Sequence, residues 1–366
     1  MSQSLAIKII GASSRDRPAD TVLRDEFRAQ RDIMPSDISA ISRTVFNYFR
    51  WRGWLDPEQP LEEQIRRSRE LAKAFAREPD SFTDDDLVAR VGPEWLGMEM
   101  DISSGWARAI QAEPRLWLRA QPGQGEDLCE KLGDAKLACD AFPDAVVYQG
   151  EQDLFQSDEF HAGEFEIQDI ASQAVGWLCA PTPGEKWWDT CAGEGGKTLH
   201  LSALMQNKGL IWASDRAAWR LQSLKRRAAR AKVFNFRSVL WDGGSKPPTK
   251  TKFDGILVDA PCSGTGTWQR NPHARWTTTG QDVKELAEIQ QRILANAAPS
   301  LKPGGKLIYA VCTLTRRETI GVVNDFTSRF PDFEPLVEGE FRASRVIWPQ
   351  DLGGNGMFIA GWRRKW

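Results

Sequence analysis

The stretch Asp189-Thr190-Cys191-Ala192-Gly193-Glu194-Gly195-Gly196-Lys197-Thr198 decides how this chain is read. It closes a strand pattern at 186–191 and opens a helix, the position at which open α/β sheets bind nucleotides. With no side chain at Gly193, Gly195 and Gly196, a ligand can approach the backbone amides closely. Two nucleotide-binding patterns come near it, and both miss by one position. Gly196-Lys197-Thr198 ends like a phosphate-binding P-loop, with Ile256 to Asp259 as the strand and acid that follow, but that pattern needs glycine where Cys191 stands. A dinucleotide fingerprint counted from Gly193 needs its third glycine at Thr198.

On either side of this turn the chain alternates between two patterns. Strand patterns fall at 186–191, 210–214, 233–236, 254–259, 306–312 and 357–362, and helical ones at 168–180, 216–231, 281–298 and 317–329. Such alternation predicts an α/β fold, a mostly parallel sheet covered on both faces. The strand Leu210 to Ser214 ends in Asp215, about 20 residues past the glycines, where a carboxylate accepts hydrogen bonds from a ribose. The next strand is followed by Trp241-Asp242, and an acid there can bind an adenine amino group. Each acid alone is more often a helix cap or a turn residue. Together, at successive strand ends, they favour an adenosine-containing ligand.

Leu257-Val258-Asp259-Ala260-Pro261-Cys262-Ser263-Gly264-Thr265-Gly266 carries the chemistry: a buried strand ends in an acid and delivers a cysteine onto a Gly-rich loop. The next strand, Leu307 to Val311, delivers Cys312-Thr313. Neighbouring parallel strands would present both thiols at the carboxyl edge of the sheet, beside the ligand cleft. A buried cysteine is ordinarily a small hydrophobe, but a strand end beside a polar, Gly-rich loop is a poor place for inert packing. Carbon 5 of cytosine is too weakly nucleophilic to attack a sulfonium methyl. Adding a thiolate at carbon 6 converts it into an enamine-like nucleophile and splits one hard step into easier ones. Asp259 is placed to protonate or hydrogen-bond ring nitrogen 3. A free thiol has a pKa of about 8.5, so the attacking one needs a cationic or hydrogen-bonding environment; Lys197, Arg316 and Arg317 are the candidates.

With 366 residues the chain exceeds what one core organises, so two or three domains are expected. Residues 20–52 and about 60–77 read as amphipathic helices, with Ser36 as a helix start and Asp84, Asp85 and Asp86 as a cap for the next. From about 105 to 165, short apolar runs such as Leu116 to Leu118 and Ala145 to Tyr148 suggest a small α+β unit. The net charge of -2 gives no global pull toward nucleic acid, so any RNA contact must come from local basic patches. The six cysteines include no CxxC pair and only three histidines could join them, which predicts reduced thiols and no metal site. Leu5 to Ile10, interrupted by Lys8, is too short for a leader, and nothing reaches bilayer length; a cytoplasmic protein is expected.

These residues resemble the RsmB/Sun-type RNA cytosine-5 methyltransferases. The resemblance rests on Gly163-Glu164-Phe165-Glu166-Ile167-Gln168-Asp169-Ile170-Ala171-Ser172-Gln173, on Asp189 to Thr198, on Asp259 to Gly266 continuing through Arg270-Asn271-Pro272, and on Cys312-Thr313-Leu314, with Gly356 to Ala360 as the family's last strand. It covers about residues 105–366. It implies a Rossmann-like class I methyltransferase domain (166–366), a small α+β RNA-recognition-like domain (105–165) and an all-α, NusB-like amino-terminal domain (1–104). It further implies S-adenosyl-L-methionine as methyl donor, Cys312 as nucleophile, Cys262 as release residue, Asp259 on the target base, and Asp215 and Asp242 on the cofactor's ribose and adenine. The candidate catalytic set is Cys312, Cys262, Asp259 and Lys197. The candidate cofactor set is Cys191, Ala192, Gly193, Gly195, Gly196, Lys197, Asp215, Arg220, Asp242 and Asp259. Two positions depart from the family: Glu194 replaces a usual proline, adding negative charge near the cofactor, and Val311 precedes Cys312 in place of threonine or serine.

The expected partner is RNA, ribosomal before transfer RNA, and the expected state a monomer. Residues 216–232 hold Arg216, Arg220, Lys225, Arg226, Arg227, Arg230 and Lys232 and no acid, and Arg363, Arg364 and Lys365 follow at the end; such a stripe can track phosphates or be a solvated face. Trp268 or Trp276 could stack on an extruded base, although most of the 16 tryptophans must be core. Alternatives are the same activity on transfer RNA, a non-catalytic RNA-binding assembly factor, which needs neither thiol, and a DNA cytosine methyltransferase, which would place its nucleophile in the Pro-Cys motif.

Overall fold

A computed structural model describes residues 2–30 and 33–366; Arg31 and Asp32, within the stretch read as helical, lie outside the described residues. The chain divides into two compact units, Met1–Pro114 with Gly264–Asp282, and Arg115–Ser263 with Val283–Trp366.

The first unit is built of α1 (Ser2–Ala12), α2 (Ala19–Ala29), α3 (Pro35–Trp51), α4 (Leu61–Arg77), α5 (Asp84–Ala89), α6 (Leu96–Glu99) and α7 (Ser104–Gln111). Leu5, Ala6, Ile9 and Ile10, on one face of α1, pack with Val22, Ile41, Val45, Phe49 and Ile65. The short run Leu5 to Ile10 is thus the buried face of a helix. Two caps differ from expectation. The helix predicted from Ser36 begins at Pro35, with Met34 as its N-cap. Thr83 caps α5 by accepting from the Asp86 amide, and the three aspartates occupy the first turn, where they meet the positive end of the helix dipole.

The segment Gly264–Asp282, which leaves the Cys262 loop, is part of this helical core. Arg275 is fully buried; its guanidinium donates to the carbonyls of Arg50 (3.2 Å) and Ile110 (3.0 Å) and to Gln111 Oε1 (3.1 Å). Burial first, and Arg50 beside it second, draw its pKa down to about 9. Trp268 is wholly enclosed beside Trp95 and Trp106. Trp276 is half-buried and donates to the Phe49 carbonyl at 2.6 Å. Both tryptophans offered as base-stacking candidates therefore serve the helical core.

In the second unit, β1 (Leu116–Ala120), α8 (Gly125–Leu132), β2 (Ala135–Cys139), β3 (Phe142–Tyr148), α9 (Asp158–Ala162) and β4 (Phe165–Ile167) form an antiparallel sheet of order β2-β3-β1-β4. There follow α10 (Ile170–Cys179), β5 (Lys186–Asp189), α11 (Gly196–Leu204), β6 (Leu210–Asp215), α12 (Ala218–Arg230), β7 (Phe236–Leu240) and β8 (Phe253–Asp259). After the α13 turn (Ala274–Thr277) of the helical unit come α14 (Gly280–Ala297), β9 (Leu301–Val311), α15 (Val322–Arg329), β10 (Phe333–Pro335), β11 (Val337–Glu338), β12 (Phe341–Arg342), β13 (Ser344–Ile347), α16 (Pro349–Leu352) and β14 (Met357–Arg364).

The large sheet runs β10-β14-β9-β8-β5-β6-β7, with β13 also on β14. Strands β5 to β9 are parallel, as the alternation predicts, while β14 is antiparallel to β9. The fold is Rossmann-like, with the order reversing at β5. Ile256 to Val258 and Leu307 to Val311 are buried on both faces. One face holds Trp188, Ile256, Val258, Tyr309 and Val311 against Ile293, Leu294 and Phe326; the other holds Trp187, Leu257, Ile308 and Ala310 against Ala171 and Val175. The strand expected at 233–236 starts instead at Phe236. The Val233 amide still bonds Ala228 at the end of α12, and Asn235 is held by Ser202. No helix among the described residues is long and apolar enough to cross a membrane.

Replacing Trp268 by alanine is expected to destabilise the helical unit by about 3–5 kcal/mol. Urea unfolding followed by circular dichroism checks this; an unchanged midpoint would show that the segment does not belong to that core.

Candidate active site

Parallel pairing of β8 with β9 sets the site. Asp259 lies opposite Ala310, and the Ala260 amide still reaches the Ala310 carbonyl at 3.0 Å. Both chains then leave the same carboxyl edge, and the sulfurs of Cys262 and Cys312 meet at 3.2 Å. The Cys312 thiol is held below its ordinary value. The hydrogen bond from Cys262 is the largest cause, followed by burial, which opposes it; Asp259 and Glu318 also oppose, and Lys197 favours the thiolate. Cys191, also beside the cleft, is pushed up to about 12 by burial and stays a neutral thiol.

Helix α11 brings Lys197 to the same edge, where its ammonium lies 2.7 Å from Asp259 Oδ2. Burial works against the Lys197 charge, but Asp259, with smaller help from Cys312 and Asp189, raises its pKa above the usual lysine value. The site thus keeps one fixed positive charge between a carboxylate and the nucleophile candidate. Asp189, at the end of β5, is pushed up to about 7 by burial, although Thr198 Oγ1 donates to it at 2.6 Å.

A cavity of about 510 Å³ opens beside these groups. It is lined by Cys191, Ala192, Gly193, Gly196, Lys197, Asp215, Arg220, Asp242, Asp259, Cys262 and Cys312, which brings together every candidate site residue except Gly195. Gly195 has φ +91°, and a Cβ there would come within 2.7 Å of Leu224, so its bareness serves the turn and the packing of α12. Asp215 is nearly buried and accepts from the amides of Gly193 (3.0 Å) and Ala217 (2.8 Å), which shapes the turn. Asp242 is exposed and accepts from the Gly244 amide. Glu194 accepts from Ser223 on α12 at 2.8 Å. The volume lies in the range of small-molecule sites, and acids at two successive strand ends suit a ribose and an adenine, so the residues present fit an adenosine-containing cofactor.

Sequence reading did not select Ser172, Trp241 or the α14 side chains Ile289, Arg292 and Ile293, which also line the cavity. Ser172 lies inside the Gln168 to Gln173 motif, and Ile289 and Ile293 stand one helical turn apart. The basic stripe is partly committed elsewhere: Arg227 (2.8 Å) and Arg230 both bind Glu166. Arg216, Arg220, Lys225, Arg226 and Lys232 remain exposed. At the end of the chain Arg363 pairs with Glu338, Arg364 donates to the Leu301 carbonyl and Lys365 to that of Pro331.

The family described as 16S rRNA methyltransferase RsmB/F matches residues 176–363. A probable ribosomal RNA small subunit methyltransferase B of Synechocystis is 32% identical over 77% of this chain and 64% of its own length. The ribosomal RNA small subunit methyltransferase B of Erwinia tasmaniensis is 32% identical over 79% of this chain and 71% of its own. A probable ribosomal RNA small subunit methyltransferase B of Bacillus subtilis is 36% identical over 56% of this chain and 49% of its own length, so the chain spans under two thirds of both this relative and that of Synechocystis. The crystal structure of a methyltransferase homolog protein from Pyrococcus horikoshii superposes with a TM-score of 0.66 at 26% identity, over 76% of this chain and 98% of that one.

Alkylation of Cys312 by iodoacetamide, mapped by peptide mass across a pH series, should have its midpoint below that of a free thiol. Because the Cys262 hydrogen bond stabilises the thiolate, Cys262→Ala should move the midpoint upward and slow alkylation at neutral pH. A profile indifferent to Cys262 contradicts this account of the thiolate.

Proposed function

Because the chain belongs to the RsmB/F family of 16S rRNA methyltransferases, we propose that it methylates carbon 5 of a cytosine in ribosomal RNA, with S-adenosyl-L-methionine as donor. The observation that carries this reading is the pair of sulfurs in contact at the wall of a nucleotide-sized cavity, beside a lysine–aspartate pair. The cofactor, when bound, supplies an electrophilic methyl group; Gly193, Asp215, Asp242 and Arg220 would hold it.

A target cytosine extruded from the RNA enters beside Cys312. The Cys312 thiolate adds to carbon 6, and electron density moves to carbon 5 as ring nitrogen 3 takes up a proton. Asp259, oriented by Lys197, holds the proton at that nitrogen. Once carbon 5 carries the methyl group, its proton leaves to solvent water, the double bond between carbons 5 and 6 re-forms, the Cys312 sulfur departs as thiolate, and ring nitrogen 3 gives back to solvent the proton it had taken up. Cys262 donates to that departing sulfur across the 3.2 Å contact. The exposed Lys225 and Arg226 of α12 are offered to phosphates of the flanking strand.

Bisulfite sequencing of ribosomal and transfer RNA from cells lacking the gene tests this. One ribosomal cytosine should lose protection, and wild-type protein should restore it. Cys312→Ala should not. Cys262→Ala should leave a protein–RNA adduct on denaturing gels that disappears after nuclease treatment. Lost protection in transfer RNA alone would reassign the substrate, and an adduct that requires Cys262 would reverse the two roles.

A further inference from the structure

Behind the thiols lies a carboxylate with no part in the steps above. Glu318 is fully buried in the π-helical turn Arg317–Gly321 that leads into α15. Among the described residues, five donors converge on it. Its Oε1 accepts from the Ser263 amide (2.8 Å) and from Gln290 Nε2 (2.9 Å). Its Oε2 accepts from the hydroxyls of Ser263, Thr313 (3.1 Å) and Thr315 (2.8 Å). Ser263 is the residue after Cys262, and Thr313 the residue after Cys312. Gln290 of α14 also donates to the Pro261 carbonyl at 2.9 Å, immediately before Cys262. The Tyr309 hydroxyl, on β9, shares its hydrogen between Gln290 Oε1 (3.0 Å) and the Glu318 carbonyl (2.6 Å).

We propose that Glu318 is the positioning residue of the two-thiol site: its buried carboxylate ties the loop after β8 to the loop after β9 and so keeps Cys262 and Cys312 in contact. The two loops share no ladder beyond Ala260, and a buried carboxylate is tolerated only where hydrogen bonds replace its water. Satisfying it therefore requires both loops to be present in one arrangement. The π-turn is a second sign of local constraint, since such turns recur at functional sites. A charge so close to Cys312 disfavours the thiolate, so its use here is geometric and opposes the electrostatics. The inference rests on reading Cys262 and Cys312 as the working pair.

Diamide, a diazene oxidant, measures the contact directly: two thiols give up two protons and two electrons to it, leaving a disulfide and a hydrazine. The full chain should form a Cys262–Cys312 disulfide rapidly, read by peptide mass. In Glu318→Ala the rate should fall by about tenfold or more, together with kcat and at unchanged KM for RNA. Loss of the negative charge alone would speed the reaction, so a slower one reports separated sulfurs. Glu318→Gln should restore much of both, because its oxygen can take the two N–H donors while its amide donates to two of the three hydroxyls, which can turn to accept. Thr315→Val, which removes one donor at nearly constant volume, should lower the cross-linking rate in a chain that folds even where Glu318→Ala does not. Wild-type cross-linking rates in Thr315→Val and in any folded Glu318→Ala would overturn the proposal. Cross-linking needs neither RNA nor methyl donor. Slowed cross-linking in a chain that methylates no RNA would sink the methyltransferase reading alone.

Discussion

Two sulfur atoms 3.2 Å apart, at the ends of adjacent parallel strands, are the constraint on which the rest of this structure turns. A thiolate in a half-buried site must be stabilised locally, because water is partly excluded and the neighbouring carboxylates repel it. Here the stabilisation comes from another thiol, whose weak donor can act only at contact distance. The parallel register of β8 and β9 brings the sulfurs to the same edge, and the loops behind them supply the remaining precision.

The same electrostatics sort the cysteines. Burial pushes Cys191 up to about 12, even with the Thr190 hydroxyl donating to its sulfur, and Cys179 above its usual value, while Cys312, with a sulfur donor and Lys197 nearby, is drawn down. Lys197 remains charged because Asp259 offsets the burial that would neutralise it. One ion pair thus serves both the Cys312 side of the cavity and the carboxylate that would face a base. The cavity joins this edge to the turn after β5, where Asp215 fixes the Gly193 amide.

The thiol edge was legible because each of its parts is local in the chain: an apolar run, an acid and a cysteine on a Gly-rich loop at Asp259 to Gly266, and a second apolar run ending directly in a cysteine at Cys312. The Gly turn and the acids at 215 and 242 were legible for the same reason. What stayed hidden depends on partners far apart in sequence. Trp268 and Trp276 look available for a base until Trp106 and the Phe49 carbonyl claim them. Arg227 and Arg230 read as a phosphate stripe until Glu166 takes both. Glu318, in a stretch that otherwise reads as an ordinary helix, matters only once Ser263, Gln290 and Thr315 converge on it. The strand at β7 was displaced because the capping of α12 consumed the residues that its pattern had claimed.

Trapping the reaction on ribosomal RNA that carries 5-fluorocytidine tests the central claim most directly, since fluorine at carbon 5 cannot leave as a proton and the adduct should persist. Digestion and mass spectrometry should place the modified nucleotide on the peptide containing Cys312. Attachment to Cys262, or methyl transfer with no covalent adduct at all, would contradict the account.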